Sequence, residues 1–314
     1  MEFNKFVKDL KKTLPDAMTL TCDSVAAAVK LWLSTGVWAI DRIIGEGIPA
    51  GRLTEIYGDF SSGKTLLAMQ LVRESQKKGY ISIVLDTEAS FSLDLARKIG
   101  LDLDKVVYLA PQTIEEVFED IEKIIEMKKE KYAEIPMLIV WDSVAATPCQ
   151  YEIDNPVGTP EMGLRARIIS QGLRKIITQI SKEHIFLFFV NQIRESMEAF
   201  GDKHFTPGGK AIKFHASVRL FIKSGKDIVE GNDRVIGKFG SIKVTKNKIY
   251  PPFRSVDFEI YFDKGIPQYS GVLDVLVEEG KINKKDGGWY EYKGVNFRAD
   301  QIEEIIKKAP DLLK

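Results

Sequence analysis

Residues 58–65, Gly58-Asp59-Phe60-Ser61-Ser62-Gly63-Lys64-Thr65, fit the pattern G-x-x-x-x-G-K-[ST] of a phosphate-binding loop. No other stretch limits the fold as tightly, because the pattern works only between a strand and a helix. That placement aims backbone N–H groups and a helix N-terminus at one phosphate. The flanks supply both parts. Leu53-Thr54-Glu55-Ile56-Tyr57 reads as a buried strand, and Leu66, Leu67, Met69, Gln70, Leu71 and Val72 open a helix that runs to Lys78-Gly79. In that geometry Lys64 reaches the β- and γ-phosphates of a nucleoside triphosphate, and the Thr65 hydroxyl binds Mg²⁺.

The surrounding pattern has the right fold class for such a loop. From about residue 36 to 268 strands and helices alternate, which predicts a mostly parallel sheet flanked by helices. Ile81–Asp86, Val106–Leu109, Met137–Asp142 and Ile185–Asn191 read as strands, the last two as nearly continuous apolar runs of a sheet centre. Helices are expected over Thr113–Met127 and Leu164–Lys182. Val218–Lys223, Gly240–Lys246 and Val256–Phe262 read as further strands that include an antiparallel pair at the sheet edge. Ahead of this core, residues 1–35 form a helical lead, with Phe3, Phe6, Val7, Leu10 and Leu14 on one face and Pro15 interrupting it. Behind it, residues 269–314 make a small α+β appendage: a helix over Val272–Gly280, a hairpin around Gly287–Tyr292, and a helix over Asp300–Lys308.

With 314 residues, 44% of them hydrophobic, the chain has ample core material for one large domain and a small appendage. Lys+Arg and Asp+Glu balance at 45 each, so any nucleic-acid surface must be a local patch. Two cysteines, Cys22 and Cys149, fit a reducing cytoplasm, and no apolar run is long enough to span a membrane.

Further candidates cluster where parallel strands end, the edge on which such sheets bind ligands. Asp142 ends one apolar strand and is placed to hold the metal's water shell, with Ser143 beside it. Glu88 lies just beyond another strand, where a carboxylate can orient or deprotonate the water that attacks the γ-phosphate. Asn191-Gln192 ends a third, and a neutral amide there can sense the γ-phosphate and inform the long polar stretch Ile193–Pro207. A second irregular stretch, Asp154–Gly163, precedes a helix bearing Arg165, Arg167, Arg174 and Lys175. Two such loops beside a cationic helix face suit a nucleic-acid backbone. A solvated helix face explains the same residues, and the spacing alone leaves that choice open.

Taken in order, these residues resemble the bacterial and phage RecA family of DNA strand-exchange recombinases. The resemblance covers roughly residues 34–295. It rests on Ser34-Thr35-Gly36, Glu55-Ile56-Tyr57-Gly58, the phosphate loop, Asp142-Ser143-Val144-Ala145-Ala146, Met162-Gly163-Leu164 and Ser170-Gln171. Asn191-Gln192-Ile193-Arg194, Gly208-Gly209, Lys213-Phe214, Ala216–Leu220 and Lys246-Asn247-Lys248-Ile249 continue it.

The resemblance implies a RecA-type ATPase core, with ATP and Mg²⁺ held between neighbours in a helical filament on single- and double-stranded DNA. Glu88 would be the catalytic carboxylate, and Gln192 the link to the second DNA loop. Lys246 and Lys248 would act on the neighbour's ATP, and Phe262 would contact the nucleotide. Met162, Gly163, Arg167, Arg174, Arg194, Phe200, Gly208 and Gly209 would meet DNA, and the N-terminal helix would dock on the next subunit. Where the family stacks a tyrosine on adenine, this chain has Leu95, and His204-Phe205 replaces small polar residues in the second loop. The family's acidic tail is missing at Lys307–Lys314, which predicts weaker self-inhibition toward duplex DNA. Two other readings stand beside a recombinase: a hexameric helicase on the same core, and a regulatory ATP-binding filament without strand exchange.

Overall fold

A computed structural model describes residues 2–15, 29–159, 163–195, 204–231 and 233–313. Helix α1 (Glu2–Thr13) realises the amphipathic lead, and none of its residues is buried. The end of the lead departs from expectation. Trp32–Leu33 pairs with Ile48–Pro49, and Leu33 and Thr35 are fully buried, so the chain enters the core before residue 36. Cys22 lies outside the described residues, and Cys149 is buried.

After α2 (Trp38–Ile44) comes an eight-stranded sheet of β1 (Arg52–Gly58), β2 (Ile81–Asp86), β3 (Val106–Leu109), β4 (Met137–Asp142), β5 (Ile185–Gln192), β6 (Val218–Glu230), β7 (Arg234–Asn247) and β8 (Ser255–Tyr261). Their spatial order is β8-β7-β6-β1-β5-β4-β2-β3. All neighbours from β6 to β3 are parallel, and β7 and β8 add antiparallel strands at one edge, as the sequence pattern predicts. The intervening helices are α3 (Lys64–Lys77), α4 (Leu93–Lys98), α5 (Ile114–Lys131), α6 (Gln150–Asp154), α7 (Leu164–Ile180) and α8 (Gly209–His215).

Alternation along the central strands feeds two cores, because successive side chains point to opposite sheet faces. Leu138, Val140, Phe186, Phe188 and Val190 join one cluster with Leu67, Met69 and Leu71 of α3. Ile139, Trp141, Leu187 and Phe189 join the other with Phe118 and Ile121 of α5 and Leu173 and Ile176 of α7. The indole of Trp141 meets the rings of Phe118 and Phe189 edge-on, with centroids 5.7 and 4.9 Å away. Burial on both faces is why these strands read as unbroken apolar runs.

The β6–β7 hairpin is longer than its apolar pattern. It continues past Lys223 to Glu230 and returns from Arg234, with register shifts along the ladder. Ser224 to Asp227 are exposed there, so no buried face marks this extension in the sequence.

The C-terminal part holds α9 (Val272–Glu278), a three-stranded antiparallel sheet and α10 (Ile302–Lys308). The expected single hairpin is one half of that sheet, formed by Asn283–Lys285, Trp289–Tyr292 and Val295–Arg298. Val272, Leu276, Phe297, Ile302 and Ile306 make a separate small core, and Trp38 packs against both it and the main one. Among the described residues no helix is long and apolar enough to cross a membrane.

Candidate functional site

Parallel pairing puts the candidate groups on one edge of the sheet. Gly58 stands opposite Gln192 and Ile222, Asp86 opposite Asp142, and Asp142 opposite Val190. The phosphate loop leaves β1 at this edge and enters α3 through Gly63, whose φ of 93° belongs to the left-handed region that favours glycine. A Cβ on Gly63 would lie 2.6 Å from Ile260 Cδ1 of β8, and one on Gly58 would lie 2.0 Å from the Ile222 carbonyl oxygen of β6. Gly63 is therefore demanded by its left-handed backbone, and Gly58 by the close approach of the β6 backbone. Gly63→Ala is expected to cost about 1–3 kcal/mol of stability and to weaken nucleotide binding, measured by thermal denaturation with and without ATP.

Lys64 is 8% exposed. Its ammonium donates to the Gly58 carbonyl at 3.1 Å and also to the carbonyl of Asp59. Burial lowers its pKa, and Asp142, Glu88 and Asp59 act in the opposite direction. The Ser62 hydroxyl donates to the Asp59 carbonyl at 2.7 Å, while Asp59, Phe60 and Ser61 are exposed. The lysine thus ties the loop to itself while Asp142, Glu88 and Asp59 favour its charge.

Asp142 is buried, and neither carboxylate oxygen has a hydrogen-bond partner within the described residues. Burial, with Glu88 and Asp86 adding to it, pushes its pKa up to about 7, while Thr65 and Lys64 oppose the rise. An orphaned, buried, hard-oxygen pair beside the Thr65 hydroxyl fits a divalent cation that keeps several waters and substrate phosphates. No group of three or more His, Cys, Asp or Glu side chains that could hold a metal alone occurs among the described residues.

Glu88 is held by two of the predicted neighbours. It accepts from the Ser143 hydroxyl at 2.7 Å, and the Gln192 amide donates to both its oxygens at 3.1 Å. The candidate sensor and the candidate base are therefore in direct contact. Sequence reasoning missed the group that shapes this loop. Asp86 is buried and accepts from the backbone N–H groups of Glu88, Ser90 and Phe91 and from the Tyr108 hydroxyl, at 3.1–3.3 Å. Its signal was an Asp at the mouth of an apolar strand, two residues before a glutamate, the spacing of an Asx turn.

The two loops read as nucleic-acid contacts end against one another. Gly163 caps the N-terminus of α7 and Gly208 that of α8. A Cβ on Gly208 would lie 3.0 Å from Ile169 Cδ1, and one on Gly209 would lie 2.9 Å from the Ala166 Cβ, both on α7. Two helix N-termini and the exposed Arg167 thereby share one surface. Arg194 is exposed where the second stretch begins. That stretch has some regular structure, since Arg194–Glu195 pairs antiparallel with His204–Phe205. Arg165 is engaged elsewhere, donating to Glu152 at 2.6 Å. Met162 and Phe200 lie outside the described residues.

Lys246 and Lys248 are not on the phosphate edge. Lys246 pairs with Arg219, which is level with Glu55, three residues before Gly58. At about 3.3 Å per residue it lies ~10 Å toward the opposite edge. Both lysines donate to carbonyls ending α8, Lys246 to Lys213 at 2.5 Å and Phe214 at 3.0 Å, Lys248 to Phe214 at 3.2 Å. Burial, then Lys248 and Arg219, brings the Lys246 pKa down to about 8. Burial first, then Lys248, Arg174 and Lys246, lowers the pKa of His215, so Arg174 belongs to this cationic cluster. Phe262 falls one residue beyond β8 rather than on it and is 50% exposed. Leu95, on α4, is partly buried against the main core.

Known proteins resemble this chain over most of its length. A family model for the RecA N-terminal domain matches residues 4–267. Protein RecA of Syntrophus aciditrophicus is 38% identical over 285 residues, 90% of this chain and 81% of that protein. Protein RecA of Geobacter sulfurreducens is likewise 38% identical, over 90% of this chain and 82% of its own length. Protein RecA of Chloroherpeton thalassium is 36% identical over 98% of this chain and 84% of its own.

Proposed function

The chain belongs to the RecA family, and from that premise we propose an ATP-driven DNA recombinase that coats single-stranded DNA as a helical filament, pairs it with duplex and exchanges strands. It is a DNA-dependent ATPase. In this reading residues 1–35 serve oligomerisation, residues 36–268 are the ATPase core and residues 269–314 a small C-terminal domain, working in the cytoplasm.

The observation that carries the reading is the convergence of Lys64, Asp142, Glu88 and Gln192 on one sheet edge, with Gln192 opening the stretch that ends beside α7. The loop amides and Lys64 bind the triphosphate, exchanging the lysine's carbonyl partners for phosphate oxygens. Thr65 and Asp142 would hold Mg²⁺, which neutralises charge on the phosphates when bound. Glu88 orients and deprotonates the attacking water. Gln192, bonded to Glu88, is placed to alter that carboxylate when DNA moves the stretch that follows.

Lys246 and Lys248 complete the site of an adjacent subunit, where positive charge near the transferring phosphoryl group stabilises the transition state. This assigns a pH dependence. With a pKa of about 8, below the ordinary lysine value, Lys246 loses its charge as pH rises through 8. A neighbour's triphosphate favours the charged form, so bringing the subunits together costs more on that alkaline limb, and the DNA-stimulated rate at low protein concentration should fall there. Lys246→Arg, always charged, should move the limb upward by at least one pH unit, as read from rate–pH profiles at low protein concentration.

The test of the whole reading is the ATPase rate with and without long single-stranded DNA. Strong stimulation supports a recombinase. A rate indifferent to DNA overturns it in favour of a regulatory ATP-binding filament.

A further inference from the structure

Beneath the phosphate loop three polar side chains are buried inside the sheet. Glu55 and Asn191 are fully buried, and Arg219 is 6% exposed. They come from β1, β5 and β6, adjacent strands. Asn191 donates through its one amide nitrogen to Glu55 Oε1 at 2.9 Å and to the Pro207 carbonyl at 3.1 Å. Arg219 donates to the other Glu55 oxygen at 2.5 Å and to the Thr206 hydroxyl at 3.5 Å. The Arg219 guanidinium also stacks over the Tyr57 ring, 4.3 Å from its centroid. Asn191 in turn accepts from the backbone N–H of Gln192 at 2.9 Å.

Each bond has a direction in the chain. Glu55 is three residues before the phosphate loop, Asn191 immediately precedes the amide that holds Glu88, and Thr206-Pro207 lead into Gly208-Gly209 and α8. Burying a carboxylate and a guanidinium is costly unless both are fully paired, so the network has essentially one arrangement. A shift at Gln192 pulls on the Asn191 side chain and therefore on the Pro207 carbonyl.

We infer that Glu55, Asn191 and Arg219 are positioning residues that tie the nucleotide-sensing end of β5 to the 206–209 segment, so that nucleotide binding sets the position of the α8 N-terminus. This rests on the proposal that this segment meets DNA, but the mechanical tie can be read without DNA.

The experiment uses the full chain with Asn191→Ala and with Arg219→Lys, which keeps a cation beside Glu55 while losing the fork that also reaches Thr206. The ratio of the ATPase rate with poly(dT) to that without should fall at least fivefold in Asn191→Ala and at least twofold in Arg219→Lys. KM for ATP should stay within twofold. A merely structural role lowers both rates together and leaves the ratio unchanged; that result in a folded variant overturns the inference. Should Asn191→Ala fail to fold, Arg219→Lys decides. In parallel, hydrogen exchange is measured without DNA, with Mg²⁺ and a non-hydrolysable ATP analogue. Wild-type amides of residues 208–215 should gain protection, and the variants should lose that gain. Absence of the gain in wild type, or its persistence in the variants, overturns the tie. If wild-type hydrolysis ignores poly(dT), the recombinase reading falls, and the exchange measurement still decides the tie.

Discussion

Lys64→Ala is expected to abolish detectable ATP hydrolysis, with kcat/KM lowered by about 100-fold or more. The lysine is buried at the base of the phosphate loop, and its ammonium is shared among the Gly58 and Asp59 carbonyls and the Ser62 hydroxyl. Under the proposed function a triphosphate replaces those partners without moving the lysine's stem, which brings the charge to the β- and γ-phosphates. Alanine removes the charge and leaves carbonyls pointing into the site, which repel phosphate oxygens. Arginine would not rescue, because its planar fork does not fit where a point charge is enclosed. Burial lowers the pKa of Lys64 and so disfavours its charged form in the empty protein. Thermal stability should therefore hardly fall while hydrolysis disappears. Measured steady-state hydrolysis unchanged by the substitution would remove Lys64 from the site.

Glu88→Gln gives the second large effect, a fall in kcat of about 10²–10⁴-fold with KM for ATP nearly constant. The substitution is isosteric, and a glutamine carbonyl can still accept from Ser143 or Gln192, which hold the carboxylate at 2.7 and 3.1 Å. What is lost is the ability to take a proton from water. Nucleotide binding and assembly then continue without the step that ends them, so filaments on single-stranded DNA should form normally and persist. Single-turnover hydrolysis and filament lifetime by light scattering check both halves. Hydrolysis within threefold of wild type would mean that Glu88 only braces Gln192.

Much of this was legible beforehand, for a physical reason. Strands buried on both faces and a glycine-rich turn leave local patterns, so β1, β2, β4, β5, α3 and α7 fall where apolar runs and breakers put them. Asp142, Glu88 and Gln192 were legible because parallel strands deliver their ends to one edge. What was not legible depends on register between strands. Glu55 and Arg219 are charges inside the apolar runs Leu53–Tyr57 and Val218–Leu220, conspicuous in hindsight. Only the level pairing of Arg219 with Glu55 across β6 and β1 shows that they neutralise each other. The reach of Asp86 over the Glu88 loop was hidden in the same way, since its partners are backbone N–H groups. The far half of the β6–β7 hairpin was missed because it buries nothing that a pattern could register.

The cationic pair on the end of α8 has an arithmetic consequence. Lys246 and Lys248 lie toward the edge of the sheet away from their own phosphate loop. Under the filament proposal each chain then carries unlike halves of two sites, and a run of n subunits encloses n − 1 whole ones. Turnover per molecule would climb with run length and level off only in long runs, and the terminal subunit that lacks a lysine donor would be the idle one. Growth and decay would then differ between the two ends, because one end always exposes a charged nucleotide pocket and the other a pair of cations in search of one.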